Sequence, residues 1–382
     1  MIPLSLYIHI PWCVRKCPYC DFNSHALKSD LPEQEYVEAL LTDLESDLPR
    51  IWGRRISSIF IGGGTPSLFS PEAINHFFSG LRARLSITAE CEITMEANPG
   101  TVEQGRFNEF RDIGINRLSL GIQSFDDQAL KELGRIHNAA EARAAIQVAR
   151  DAGFDNINLD LMFGLPGQSP ELGLNDLRLG LEFSPEHLSW YQLTIEPNTF
   201  FYMHPPSLPV DESIDELFVR GQELIAAQAY EQYEVSAYAQ KKRLCRHNLN
   251  YWEYGDYLGI GAGAHAKISD PASGTITRFE RYRQPQQYMD AVSNGNGVSQ
   301  QRLIQDREKV FEFMLNALRL TEGFDLPLFE ERTGLSSQLI GSTVSELEEL
   351  GLLSLTGDRL APSDQGRRFL NEMTERFLPE DD

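Results

Sequence analysis

Apolar and polar positions alternate with two different periods along the first half of the chain. Short apolar runs typical of β-strands are separated by amphipathic stretches with the spacing of a helix. Strands are predicted over residues 4–10, 56–61, 91–98, 116–124, 155–163 and 187–195, and helices over 33–48, 71–85, 102–113, 141–152 and 171–182. Strands that alternate with helices predict a parallel sheet with right-handed crossovers, either open and doubly wound or curved into a barrel.

Three of the predicted strands carry a polar face opposite an apolar face. The polar faces hold Glu92, Thr94, Glu96 and Asn98; Arg117, Ser119, Gly121 and Gln123; and Asn156, Asn158 and Asp160. In an open sheet covered by helices on both sides, strands are almost continuously apolar. We therefore predict an α/β fold with an incomplete (β/α)6 barrel, whose polar interior is a ligand site rather than a packed core.

The pattern changes beyond residue 197. Prolines at positions 197, 205, 206 and 209 predict a linker or a turn-rich lid, followed by a helix over 211–230 and an irregular, glycine-containing segment. Residues 335–363 predict a small winged-helix-like unit, with a helix over 337–350 and short strands near Leu353 and Leu360. The expected domains are a barrel (1–200), a connecting or lid region (201–306) and a smaller, mostly helical C-terminal domain (307–382).

Composition and charge exclude several classes of protein. With 382 residues, of which 41% are hydrophobic, the chain has enough apolar side chains for a sizeable core. A formal net charge of -22 argues against nucleic acid as a partner, even for the winged-helix-like unit. No apolar run approaches the ~20 residues of a membrane span, and no secretory signal is evident. We expect a cytoplasmic protein with no membrane span.

The strongest candidate for chemistry is a cysteine-rich loop after the first predicted strand. Cys13, Cys17 and Cys20 lie within eight residues of one another. Three thiolates on one loop can each bind one iron of a cubane cluster, which leaves a fourth iron open to another ligand. A zinc site is the alternative, although it needs a fourth ligand, and Cys91 and Cys245 are distant in sequence.

This spacing, with Tyr19 just before the last cysteine, resembles the radical S-adenosylmethionine (SAM) superfamily. The resemblance implies a 4Fe-4S cluster on Cys13, Cys17 and Cys20, whose open iron chelates SAM and whose electron cleaves it to a 5'-deoxyadenosyl radical. The sequence Gly-Gly-Gly-Thr-Pro at 62–66 is similar to the segment that holds the SAM amino group. From the residues alone, these glycines indicate either close approach to a ligand or a tight turn.

Residues 6–13, 121–125 and 158–167 further resemble the HemN-type branch, whose founding activity is oxygen-independent coproporphyrinogen III oxidation. Tyr19 would flank the cluster. The implied SAM-site residues, in a family that can hold two SAM molecules, are Tyr7, Tyr19, Gly63, Gly64, Thr65, Glu96, Gln123, Arg135 and Asp160. From the residues alone, Asp160 could instead cap a helix or join an ion pair, and Arg135 could be an exposed surface residue.

Two departures argue against the founding activity. Decarboxylating members carry an extra N-terminal segment, whereas the first strand here is predicted from residue 4. They also continue the motif as Cys-x-Cys, whereas Cys20 is followed by Asp21 and Phe22. Residues 247–252, with the sequence HNLNYW, instead resemble the HNxxYW motif of HemW-type radical SAM haem chaperones.

The HemW-type resemblance implies haem as cargo, delivery to acceptor haemoproteins that include respiratory, membrane-associated ones, and a homodimer. A histidine near aromatic rings can ligate iron, so His247 is the candidate haem ligand, with Cys245 as a second axial donor and His265 as a competing ligand. The alternative for His247 is a structural histidine, and Cys91 is expected to be a small strand residue. Coproporphyrinogen oxidation and another SAM-dependent modification, such as methyl transfer, are the competing functions, and no catalytic residue is assigned.

Overall fold

A computed structural model describes residues 2–100 and 105–379. Its strands are β1 (Leu4–Ile10), β2 (Trp12–Cys13), β3 (His25–Ala26), β4 (Arg55–Gly63), β5 (Ser86–Ala97), β6 (Arg117–Gln123), β7 (Ile157–Phe163), β8 (His187–Gln192), β9 (Glu231–Glu234), β10 (Ala237–Ala239), β11 (Asp256–Ile260), β12 (His265–Asp270), β13 (Thr275–Arg281), β14 (Val298–Leu303), β15 (Phe324–Asp325), β16 (Leu353–Thr356) and β17 (Arg359–Pro362).

The α-helices cover Glu33–Asp47, Pro71–Arg84, Phe107–Ile113, Asp127–Glu132, Ala139–Asp151, Pro170–Glu182, Phe200–Met203, Asp211–Ala227, Arg246–Trp252, Pro285–Ser293, Asp306–Ala317, Leu326–Thr333, Gly341–Glu349, Asp364–Arg368 and Leu370–Glu375. Single 3-10 turns lie at Leu48–Ile51, Pro66–Leu68 and Ser337–Ile340. The predicted helix over 102–113 is observed from Phe107 onward, and its positions 102–104 lie outside the described residues.

Six parallel strands form the centre of the largest sheet, in the order β1-β4-β5-β6-β7-β8, with helices in the connections. Apolar side chains on one face pack under these helices, and Ile8, Ile61 and Leu120 are each at most 1% exposed. The opposite face carries the polar positions, with Thr94 in register between Phe60 and Arg117. The predicted incomplete (β/α)6 barrel with a polar interior is therefore confirmed.

Residues beyond 230 extend this sheet at both of its edges. Strands β10 and β9 continue it beyond β8, while β11, β12, β13 and β14 continue it beyond β1. The expectation of an irregular segment around 255–263 was wrong, because β11 pairs in parallel with β1 over Leu4 to Ile8. A Cβ at Gly259 would lie 1.8 Å from the His265 carbonyl oxygen, so glycine permits the close approach of β11 and β12. The three-domain division stays a prediction.

The C-terminal part contains the winged-helix-like unit. Helix Gly341–Glu349 is followed by the hairpin β16–β17, and β15 adds a third strand that the sequence pattern did not predict. A separate hydrophobic cluster, which includes the fully buried Phe313 and Phe329, lies beneath it. Across the described ranges, no helix combines the length and the apolar character that crossing a bilayer demands.

Candidate cofactor site

A cavity of about 380 Å³ opens beside the cysteine loop, at the carboxyl ends of the parallel strands. This is the end of such a fold where active sites are placed. Eleven of the residues predicted for the cluster and for SAM line it: Cys13, Cys17, Tyr19, Cys20, Gly63, Gly64, Thr65, Glu96, Gln123, Arg135 and Asp160. The fold thus gathers residues from the cysteine loop and from four strands around one space.

The three cysteines are free thiols with partly exposed side chains, and Cys17 and Cys20 contact different polar neighbours. Ser24 Oγ lies 3.7 Å from Cys20 Sγ, and Arg135 Nη1 donates to Cys17 Sγ at 3.7 Å. Burial raises the pKa of the Cys13 and Cys20 thiols, although hydrogen bonds from Thr65 and Ser24 oppose this shift. Three thiols that face one cavity fit a cluster that takes one thiolate on each of three irons.

Glycines 63 and 64 let the end of β4 approach the cysteine loop. A Cβ at Gly64 would lie 2.4 Å from the Trp12 carbonyl oxygen, directly before Cys13. Gly63 has φ of 113°, and its N–H donates to Glu96 Oε2 at 3.0 Å. The interpretation as a tight turn is confirmed, since glycine is needed at these positions, and the segment also lines the cavity. Close approach to a ligand stays a prediction.

Tyr7 lies behind the cavity wall and is not among the residues that line it. His9 Nε2 contacts the Asn23 carbonyl oxygen at 2.8 Å, and Tyr7 Oη lies 2.9 Å from His9 Nδ1. Since a carbonyl oxygen only accepts, Nε2 carries the proton and Tyr7 donates to Nδ1. Burial lowers the pKa of His9 to about 4, which keeps the ring neutral. Tyr7 thus orients His9, which contacts the Gly63 turn.

Arg135 is part of the cavity wall and not an isolated surface residue. Its Nη2 donates to Asn98 Oδ1 at 2.6 Å and to the Gly121 carbonyl oxygen at 2.8 Å. Asn98 Nδ2 in turn donates to Thr65 Oγ1 at 2.8 Å. This chain of hydrogen bonds connects the cysteine loop, through Cys17, to the Gly-Gly-Gly-Thr-Pro segment.

Gln123 ends β6 in an unusual backbone conformation, with φ of 66° although it is not glycine. Its side chain is only 6% exposed, and its Oε1 accepts a hydrogen bond from Tyr191 Oη at 2.9 Å. Strained backbone of this kind is typical of binding sites. Sequence reasoning did not identify Tyr191, although Ser189 and Tyr191 continue the period-two polar face into β8.

Two carboxylates occupy the barrel interior below the mouth. Asp160 accepts hydrogen bonds from Ser119 Oγ at 2.9 Å and from Asn158 Nδ2 at 2.8 Å. Among the described residues, it neither caps a helix nor forms an ion pair. Burial, together with the negative charge of Asp160, raises the pKa of Glu96 to about 7. Carboxylates in this setting can accept hydrogen bonds from ammonium groups or ribose hydroxyls.

The HNLNYW segment forms helix Arg246–Trp252 and lies at the opposite end of the barrel. His247 is 1% exposed, and its ring stacks on Phe60 with 5.1 Å between centroids. Its Nδ1 contacts Ser58 Oγ at 3.2 Å, and burial lowers its pKa to about 3. Among the described residues, its Nε2 has no hydrogen-bond partner, and in this conformation the ring is not presented to solvent.

The other candidate haem ligands differ in accessibility. Cys245 is fully buried beside Glu92, and burial raises the pKa of its thiol to about 12, so the protonated form dominates near neutral pH. His265, by contrast, is exposed at the start of β12. Cys91 is a buried residue of β5, as expected.

Comparison with known proteins shows sequence similarity over almost the whole chain. The Radical SAM superfamily model matches residues 7–177, and the HemN C-terminal domain model matches residues 304–369. Proteins named heme chaperone HemW from Escherichia coli (strain K12) and Haemophilus influenzae are 50% and 49% identical, with 99% of each chain covered. The one from Bacillus subtilis is 33% identical over 98% of this chain and 99% of its own.

A solved structure shows the same fold. Coproporphyrinogen III oxidase (HemN) from Escherichia coli, described as a radical SAM enzyme, superimposes with a TM-score of 0.84 at 23% identity, covering 98% of this chain and 90% of the other. The motifs, the fold and the full-length similarity agree. The chain belongs to the HemW family of radical SAM proteins.

Proposed function

We propose that the chain is a radical SAM haem chaperone of the cytoplasm that binds haem and passes it to acceptor haemoproteins. The observation that carries the proposal is the full-length similarity, at 49–50% identity, to proteins named heme chaperone HemW. The cofactor cavity supports it, because the expected cysteines and polar residues line one space.

Cys13, Cys17 and Cys20 would hold a 4Fe-4S cluster, which supplies an electron and an open iron for SAM when bound. Arg135 donates toward Cys17 Sγ and would stabilise negative charge on a thiolate there. The Gly63 turn brings backbone close to the cavity, and the carboxylates of Glu96 and Asp160 would accept hydrogen bonds from the amino group and ribose of SAM.

Anaerobic titration of the cluster-loaded protein with haem tests this proposal. We expect saturable haem binding near one equivalent per chain, seen in the Soret band and retained through a desalting column. A Cys17→Ala variant should lose the cluster spectrum, and haem binding by that variant would show whether cargo binding needs the cluster. If the wild-type protein retains no haem, the chaperone proposal is wrong, and carbon dioxide release from coproporphyrinogen III becomes the next assay.

The proposal also includes a homodimer and respiratory, membrane-associated haemoproteins among the acceptors. Light scattering of the cluster-loaded protein measures the first: a mass of twice 43.2 kDa is expected. Transfer of bound haem to an apo-haemoprotein, followed by the change in the Soret band, measures the second.

A further inference from the structure

Residues 199–210, which we call the rim segment, expose several large apolar side chains beside the cavity mouth. Phe200 is 61% exposed, Met203 is 70% exposed and Val210 is 63% exposed. The segment follows Leu193, Thr194 and Glu196, which line the cavity. Several exposed large apolar side chains within one short segment are a candidate binding surface.

The rim segment is held firmly in place, so this exposure is a property of the folded chain. The N–H of Phe201 donates to the Pro18 carbonyl oxygen, within the cysteine loop, at 3.0 Å. The Phe201 side chain is 6% exposed and belongs to a hydrophobic cluster against which Tyr19 and Leu208 pack. Thr199 caps the short helix by accepting from the N–H of Tyr202 at 3.1 Å.

His204 lies at the end of this helix with an available imidazole. It is exposed, and its ring centroid lies 4.6 Å from that of Phe200. Among the described residues, no side chain or backbone group forms a hydrogen bond or ion pair with its ring nitrogens. His204 directly follows the last helical residue, Met203, which is 70% exposed. The phenyl ring and the imidazole are therefore presented together, and the exposed thioether of Met203 is adjacent to His204 in the chain.

We propose that the rim segment binds haem, with His204 as an axial ligand of the iron and with Phe200 and Met203 packed against the porphyrin. This inference rests on the proposed chaperone function and assigns its cargo site. A neutral imidazole is a common axial ligand of haem iron, and the flat apolar macrocycle would cover aromatic and thioether surface that is otherwise hydrated. His247 lacks this access, because it is 1% exposed inside the barrel.

The test uses the full chain with its cluster loaded and a haem titration followed by difference absorbance. We expect His204→Ala to weaken haem binding by at least about tenfold, in the range found when groups that support metal ligands are removed. His204→Met should shift the Soret band, because the ligand changes from imidazole to thioether. Phe200→Ala should weaken binding without changing the ligation spectrum.

Two controls make the result specific. His76→Ala removes another exposed histidine, whose side chain is 59% exposed on helix Pro71–Arg84, and should leave haem binding unchanged. Unchanged SAM binding by His204→Ala would show that the variant is folded. If the wild-type protein binds haem but His204→Ala has the same affinity and spectrum, the rim-segment inference is wrong while the chaperone proposal stands. If the wild-type protein retains no haem, the chaperone proposal itself fails.

Discussion

Glu96 shows how a single residue gives the cavity a dependence on pH. The register places Glu96 beside Ser119 of β6, where it is partly buried and close to the charge of Asp160. Both influences disfavour a second negative charge, which raises the pKa of Glu96 to about 7. Near neutral pH, therefore, only part of the protein carries Glu96 as a carboxylate, the form that we propose accepts hydrogen bonds from SAM.

We expect the affinity for SAM to rise with pH across this range. Ionisation of one group with a pKa near 7 increases the carboxylate fraction about tenfold between about pH 6 and pH 8, which sets the upper limit of the effect. Equilibrium dialysis of labelled SAM against anaerobic, cluster-loaded protein measures it. Glu96→Gln should bind SAM weakly and lose the dependence of affinity on pH. Asp160→Asn should move the midpoint of that dependence to lower pH. Equal pH slopes for Glu96→Gln and wild type would contradict the assignment.

At the scale of elements, local pattern and distant pairing differ in how well they can be predicted. The six central strands and the longer helices between them were predicted closely, because each produces its own hydrophobic periodicity, whereas the short helix Asp127–Glu132 and the first residues of β5 were not predicted. The pairing of β1 with β11 joins residues some 250 positions apart, and no local pattern records it. Likewise, the polar strand faces indicated Glu96 and Asp160, but the contact of Arg135 with Asn98 depends on where loops meet.

A buried ion pair fixes helix Glu33–Asp47 to one of these unpredicted strands. Arg281 of β13 is 1% exposed and pairs with Asp43 at 2.9 Å and with Asp47. Tyr288 also donates to Asp43 Oδ2, at 2.8 Å. Burial raises the pKa of Asp43, and the charge of Arg281 opposes that shift. Removing the guanidinium would therefore leave the buried carboxylate of Asp43 without a cation, while Asp47 would keep only the partly exposed Arg50.

We expect Arg281→Met to lower the free energy of unfolding by about 3–5 kcal/mol, the usual cost of breaking a buried pair. Without the cation, the folded-state pKa of Asp43 rises further above its unfolded value, so the loss should grow as pH increases. Urea unfolding at matched cluster content, at acidic and alkaline pH, measures both effects. Arg84→Met, which breaks the more exposed pair with Glu45 on the same helix, should cost less than about 1 kcal/mol. Equal losses in the two variants would refute the argument.

At the scale of the whole molecule, the HNLNYW helix connects the barrel to the C-terminal part. Its His247 end packs against Phe60 inside the barrel. At its other end, Arg319 lies over the Trp252 ring at 4.3 Å and pairs with Glu234 of β9 at 3.1 Å. We infer that this helix stabilises the end of the barrel opposite the cysteine loop. It does so by packing against the barrel at His247 and against the C-terminal part at Trp252.

Arg319→Met tests that connection. We expect it to lower the free energy of unfolding by about 1–3 kcal/mol, since Glu234 is 4% exposed and loses its partner, although Arg319 itself is partly hydrated. Hydrogen exchange should quicken in β9, in helix Arg246–Trp252 and in helix Asp306–Ala317, but not in the cysteine loop, which belongs to the far end of the barrel. Arg302→Met is the matched control, because Arg302 itself is exposed and Glu312, one of its two partners, keeps its pair with Arg278, so exchange should change only locally. Faster exchange that spreads equally to the cysteine loop would mean that the two ends unfold as one unit, and the connecting role of the helix would then be wrong.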